Sequence, residues 1–211
     1  MTLAKPMVGR RELLRTFAED RLVAVVRTAT VEQAEQQARM VAKAGVRLVE
    51  ITLTVPDAFE LIERLATDAS FEGIVGAGTV LSGRQAEDSL LAGARFLVSP
   101  CLVPAMIEAA RSHDAISMPG TLSPTEMLSA ADLGADFIKI FPIATIGGPA
   151  YVANVRRALG HLPLVATGNI AFEEIAEYLA AGVVGFGIGG PLTGGDISNA
   201  QRFLAATRRA A

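Results

Sequence analysis

Cysteine is almost absent from this chain. Cys101 is the one cysteine in 211 residues, which excludes an internal disulfide framework and makes the cytoplasm the expected compartment. Histidine is nearly as scarce. His113 and His161 are too few to build a zinc site with that single thiol, and only a hard cation held by carboxylates is left open. Tryptophan is missing and aromatics make up 5% of the residues, while the net charge is −3 and no basic stripe is present, so a nucleic-acid partner is not expected. No apolar run reaches membrane-spanning length. Arg10, Arg11, Glu12 and Arg15 interrupt the N-terminal stretch, so neither a membrane anchor nor a signal peptide is expected. Lysine is rare too: of 19 basic residues only Lys5, Lys43 and Lys139 are lysines.

What is present points to a compact globular chain. Apolar residues are 51% and charged residues 19%, with frequent glycine, enough for an ample core. No linker or shift in composition divides it, so one domain over residues 1–211 is expected. Short Val/Ile/Leu-rich runs recur at 21–27, 46–53, 73–80, 94–100, 115–121, 135–142, 163–169 and 183–190. Amphipathic stretches with helix punctuation separate them. Thr30 precedes 31–44, with Gly45 behind it. Pro56 and Asp57 open a helix to about Ala66, and Ser82 caps 83–92 before Gly93. Ser123-Pro124-Thr125-Glu126 combines an N-cap, an N1 proline and an N3 acid. Eight nearly continuous apolar strands alternating with helices predict a parallel sheet covered by helices, closed as a (β/α)8 TIM barrel. An extra N-terminal helix at about 9–19 plugs its bottom. The alternative is a doubly wound open sheet, which the even spacing and the missing GxGxxG disfavour.

Lys139 is the most informative residue. It is the one charge inside the apolar run Phe137–Phe141, where alternation places Phe137, Lys139 and Phe141 on one face and Ile138 and Ile140 on the other. Lost hydration disfavours an ammonium, so its pKa falls and a free amine becomes available to attack a carbonyl and form a Schiff base. A strand-end lysine paired with a carboxylate fits the octapeptide equally. On the second strand, Leu48, Glu50 and Thr52 share a face opposite Val49, Ile51 and Leu53. Glu50 therefore points into the barrel, where it serves either as the acid/base that Schiff-base chemistry needs or as a partner in a core ion pair.

The working ends of barrel strands are their C-terminal ends. Small and polar residues gather there: Arg27, Thr54, Thr79, Ser99-Pro100, Pro119-Gly120-Thr121, Thr167-Gly168-Asn169 and Gly189-Gly190. Arg27 suits a substrate carboxylate, or is a solvated strand-end arginine. Thr79 is a hydroxyl donor to a ligand, or a strand-end residue packed beside glycines. The last two glycine-rich turns have the position of a barrel phosphate site. Cys101 reads as a small turn residue, and the two histidines fall at the opposite, structural end.

The segments VAVVR (23–27), GVRLVEITLTVPDA (45–58), IVGAGTV (74–80), FLVSP (96–100), MPGTLSPTE (118–126) and FIKIFP (137–142), with the Thr167-Gly168 and Gly189-Gly190 turns, resemble the 2-dehydro-3-deoxy-6-phosphogluconate (KDPG) / 4-hydroxy-2-oxoglutarate (KHG) aldolase family nearly end to end. The resemblance implies a class I, metal- and cofactor-independent aldolase, usually a homotrimer, that takes a small-molecule keto acid. It implies Lys139 as Schiff-base lysine and Glu50 as acid/base, with Arg27, Thr79 and Pro100 around the pyruvyl group. KDPG, cleaved to pyruvate and glyceraldehyde 3-phosphate, is the substrate it implies first. Three positions depart from the common pattern: Thr54 stands where many members carry arginine, Asn169 where glycine is frequent, and Pro191 where serine is frequent. The last removes a hydroxyl and a backbone N–H from the expected phosphate position. An unphosphorylated 2-keto-4-hydroxy acid is the competing substrate. A sugar-phosphate isomerase would leave Lys139 idle. A retired barrel acting as a metabolite-binding scaffold is the alternative of another class.

Overall fold

The computed structural model describes residues 8–208. Its strands are β1 (Leu22–Val26), β2 (Leu48–Thr52), β3 (Ile74–Gly78), β4 (Phe96–Val98), β5 (Ile116–Met118), β6 (Gly120–Thr121), β7 (Ile138–Ile140), β8 (Leu164–Gly168) and β9 (Gly185–Ile188). The helices are α1 (Arg10–Asp20), α2 (Val31–Lys43), α3 (Ala58–Thr67), α4 (Gly83–Leu91), α5 (Pro104–Ser112), α6 (Pro124–Asp132), α7 (Gly148–Leu159), α8 (Ile175–Ala181), the short α9 (Gly190–Thr193) and α10 (Ile197–Arg208). All strand pairs are parallel, in the order β5-β4-β3-β2-β1-β9-β8-β7-β6. Because β5 and β6 are consecutive in the chain, this order is a closed (β/α)8 barrel.

The predicted strand 115–121 is two pieces. Pro119 has no N–H for the ladder, so β5 pairs with β4 and β6 with β7 on either side of it. Its carbonyl still accepts from Lys139 N–H at 3.1 Å, which closes the barrel beside the key lysine. A side chain at Gly120 would meet the Pro100 backbone at 2.4 Å, so this close approach needs glycine.

Period-2 alternation divides the core as read from the sequence. Val49, Ile51, Ile138 and Ile140 face the helices. Leu48, Phe96, Val98, Ile116, Met118 and Val165 fill the barrel interior with Leu13 and Phe17 of α1, which is the predicted plug. The caps agree as well. Thr30 and Ser82 accept from Gln33 and Gln85 N–H, and Ser123 with Glu126 forms a full capping box. The α3 start follows Pro56-Asp57 as expected, with Asp57 as N-cap at φ 53°, although its carboxylate makes no capping bond. An effective N-cap residue sits in the extended region instead.

At the bottom of the barrel, the fully buried Asp20 accepts from Arg47 Nε at 2.9 Å and Nη2 at 2.7 Å. It also accepts from Arg208 Nη2 at 2.6 Å, which ties α10 to α1. Burial alone would raise this carboxyl's pKa, but the two guanidinium groups reverse the shift and hold it below its ordinary value. Asp20→Asn is expected to cost about 2–3 kcal/mol, less than a wholly buried pair because both arginine heads reach solvent. Thermal unfolding should read this as a loss of roughly 5–10 °C at neutral pH. A depressed carboxyl stabilises above its unfolded pKa and loses that contribution as pH falls through the folded one. The gap between variant and wild type should therefore close below about pH 4.

Candidate active site

The C-terminal ends of β1, β2 and β7–β9 surround a cavity of about 470 Å³. Its polar lining is Arg27, Glu50, Lys139, Thr145, Thr167 and Asn169, with Gly168, Gly187, Gly189 and Gly190 leaving room between them. Lys139 is 7% exposed and Glu50 3%. Each is carried inward by strand alternation, and each sits at a rigid ladder position: Glu50 opposite Val25 and Gly76, Lys139 opposite Gly120 and Val165. Rigid elements hold reacting groups more tightly than loops do.

The two groups do not form a closed ion pair. Among the described residues, no salt bridge within 4.0 Å joins Lys139 to Glu50, and neither side chain is tied up by another hydrogen bond. They act on each other at longer range. Burial pushes the Lys139 ammonium pKa down, Glu50 partly restores it, and Arg27 lowers it further. Burial pushes Glu50 up, against the pull of Lys139 and Arg27. Both shifts favour a neutral amine near a carboxyl able to hold a proton, the pairing that nucleophilic attack and proton transfer require. The Lys139 Nζ lies 4.7 Å from the centre of the Phe141 ring, which covers the amine on its apolar side.

Room for Glu50 comes from the neighbouring strand. A Cβ on Gly78 would fall 1.8 Å from Glu50 Oε1, so glycine at the end of β3 is a condition for the carboxylate's position. The next residue, Thr79, has φ 59°, a genuine outlier for a β-branched side chain. Its Oγ1 accepts from Arg27 Nη2 at 3.1 Å.

Of the sequence-predicted site residues, Lys139, Glu50, Arg27, Thr167, Gly168, Asn169, Gly189 and Gly190 come together around this cavity. Three stand outside its lining. Thr54 is exposed and its hydroxyl is 2.9 Å from that of Thr52. Thr79 is hydrogen-bonded to the lining residue Arg27. Pro100 is packed at the Gly120 crossing. Phe141, Ala144 and Thr145 also line the cavity. Alternation had put Phe141 on the face of Lys139. Thr145 lies in a single 3₁₀ turn after β7, which left no periodic signal.

Cys101 is exposed in the loop after β4 and is absent from the lining. His113 caps the end of α5, with Nδ1 3.1 Å from the Ala109 carbonyl, and His161 is exposed before β8. No three His, Cys, Asp or Glu side chains cluster among the described residues. No described helix is long and apolar enough to cross a membrane.

Residues 14–203 match the model of the KDPG and KHG aldolase family. Among curated proteins, the chain is 37% identical over 172 residues to a probable 2-dehydro-3-deoxy-6-phosphogalactonate aldolase of Rhizobium meliloti (strain 1021), covering 81% of each. It is 34% identical over 160 residues to the 2-dehydro-3-deoxy-phosphogluconate aldolase of Treponema pallidum (strain Nichols), covering 76% of each. Among solved structures, a native KDPGal structure superposes with a TM-score of 0.78 at 29% identity, over 90% of this chain and 93% of that one. A KDPG aldolase of Legionella pneumophila, with pyruvate captured as a covalent carbinolamine, superposes with a TM-score of 0.76 at 25% identity, over 94% and 97%.

Proposed function

This chain belongs to the KDPG and KHG aldolase family, and within that family we propose Lys139 as the Schiff-base nucleophile and Glu50 as the general acid/base. The enzyme is a class I aldolase, a pyruvate-dependent aldehyde-lyase whose chemistry runs through a lysine imine without a cofactor. The proposed substrate is a 2-dehydro-3-deoxy-6-phospho sugar acid, the gluconate or its C4 epimer the galactonate. Both give pyruvate and glyceraldehyde 3-phosphate. The observation that carries this reading is the buried, unpaired Lys139 facing the buried Glu50 across one cavity.

The steps follow from the two side chains. The neutral Lys139 amine adds to the C2 carbonyl, and the C2 oxygen takes up a proton. Glu50 in its acid form protonates the carbinolamine hydroxyl, which leaves as water and gives the iminium. Glu50, now a carboxylate, removes the C4 hydroxyl proton. The C3–C4 bond then breaks: its electron pair moves into the iminium to form an enamine, and C4 departs as the aldehyde. Glu50 returns the proton to C3, and water hydrolyses the new iminium to release pyruvate and the free amine. Arg27 is the group suited to the substrate's C1 carboxylate, as the cationic side chain of the lining that does not itself react. The same reading takes residues 1–211 as one domain, working as a homotrimer in the cytoplasm.

A second reading rests on one specific observation. Pro191, second residue of α9, has no N–H, and the Leu192 and Thr193 N–H groups are committed to the Gly189 carbonyl at 2.9 Å each. The β9 turn therefore has few donors for a phosphate, and an unphosphorylated keto acid such as 4-hydroxy-2-oxoglutarate becomes the rival. Pyruvate release from the two epimeric 6-phospho acids and from 4-hydroxy-2-oxoglutarate separates them. A phospho acid should lead in kcat/KM by about a hundredfold or more, the scale on which a site built for a polar group rejects an analogue without it. Equal or better turnover of 4-hydroxy-2-oxoglutarate would move the assignment to the second reading.

A further inference from the structure

Phe141 is the one aromatic side chain in the cavity lining among the described residues. It stands two positions beyond Lys139 on the same strand face, and the ladder holds both. Lys139 N–H donates to the Pro119 carbonyl and Phe141 N–H to the Thr121 carbonyl, each at 3.1 Å. These two bonds fix the backbone beneath both side chains. The Lys139 Nζ lies over the face of the Phe141 ring, 4.7 Å from its centre. That is inside the range of about 6 Å over which a cation is attracted to an aromatic face.

The charge on that nitrogen changes during the reaction. Burial favours the neutral amine in the free enzyme, and a neutral amine has little attraction to the ring. Collapse of the carbinolamine reverses this. The C2–O bond breaks, the hydroxyl leaves as water with a proton from Glu50, and the nitrogen lone pair becomes the second bond of C=N. One positive charge then stands at Nζ in a buried site. Arg27 opposes a charge there, and no carboxylate pairs with Lys139 within 4.0 Å among the described residues. The Phe141 face carries the negative side of the aromatic quadrupole and is in place before the charge arises. An interaction made with the charged species and not with the starting amine is the kind that accelerates a step.

We propose, resting on the aldolase reading above, that Phe141 is a catalytic residue whose ring face stabilises the positive charge on Nζ as the carbinolamine becomes the iminium. A ring suits a charge that comes and goes. It accepts no proton from the amine, and it leaves the lone pair free for attack. A carboxylate in its place would hold the lysine protonated and unreactive. Fluorine on the ring draws electron density from the face and nearly keeps the shape, so it weakens the attraction without removing the packing.

The test replaces Phe141 with mono-, di- and trifluorinated phenylalanine. The readout is the pyruvate concentration that gives half-maximal iminium, taken on the pH plateau by a borohydride pulse and intact mass. This concentration should rise with each fluorine and reach at least about tenfold for the trifluorinated ring, the scale of a desolvated cation–π contact. Inhibition by lactate, which keeps the carboxylate and methyl of pyruvate but has no carbonyl, should stay constant across the series. A half-maximal concentration unchanged within about twofold overturns the proposal, as does a parallel weakening of lactate, since packing alone would give that. The wild-type adduct keeps the two levels apart. With Lys139 labelled and the fluorine series flat, only the role of Phe141 falls. With no label on Lys139, its aldolase assignment falls and this proposal falls with it.

Discussion

Lys139→Arg is expected to lower aldol cleavage by at least about ten-thousandfold while leaving the barrel folded. Arginine keeps the positive charge and much of the length, so a lysine with a purely structural ion pair would tolerate it far better. A guanidinium does not lose its proton near neutral pH, so it cannot add to a ketone. Removing the residue that forms the covalent intermediate eliminates the pathway rather than weakening it. Circular dichroism and thermal unfolding of the variant give the control. The pH profile of the wild-type enzyme makes a second, signed statement. Lys139 is pushed below its ordinary value of 10.5 chiefly by burial, with Arg27 adding to the shift and Glu50 opposing it. Because the neutral amine reacts, kcat/KM should rise with pH through that lowered pKa and approach a plateau below the range of an ordinary lysine. An acid limb centred at the usual lysine value would contradict the burial argument.

Glu50→Gln should cost about a hundred- to ten-thousandfold in kcat, the range of a lost general acid/base. The amide keeps the shape but carries no transferable proton, so substrate binding should change far less than kcat. Removing this carboxylate also removes the charge that partly restores the Lys139 ammonium. The acid limb of the remaining activity should shift to lower pH, and a shift upward would contradict the electrostatic coupling. Gly78→Ala tests the same group without touching it. The added Cβ would fall 1.8 Å from Glu50 Oε1, so the carboxylate must move. A misplacement of about 1 Å can already cost catalysis about a hundredfold. The alanine variant should lose kcat in the same direction as Glu50→Gln, and a fully active Gly78→Ala would show that Glu50 does not need this position.

Much of this was legible because strand alternation is a rigid rule. Once the run Phe137–Phe141 was read as a strand, Lys139 had to face inward. The same rule turned Glu50 to the same side, and the structure has both at one cavity. Helix caps were legible for a similar reason: Thr30, Ser82 and Ser123 act within four residues. The contributions of Gly78 and Gly120 could not be read in advance. Each depends on what lies across a strand or crossing, in one case the Glu50 carboxylate and in the other the Pro100 backbone. Loop-borne positions were the weak point. Thr54, Thr79 and Pro100 follow strand ends but are not among the residues lining the cavity, while Thr145 enters it from a 3₁₀ turn with no periodic signature. Split β5 and β6 belong to the same class, since a proline announces a missing N–H but not which neighbour each half will pair with.

The most direct test of the central claim is reduction of the wild-type enzyme with borohydride in the presence of pyruvate, followed by peptide mapping, with Lys139→Arg treated in parallel. Lys139 as Schiff-base nucleophile predicts one reduced pyruvyl adduct, carried by Lys139 and absent from the variant. An adduct on Lys43 or Lys5, or no adduct from folded protein across a range of pH, would contradict it.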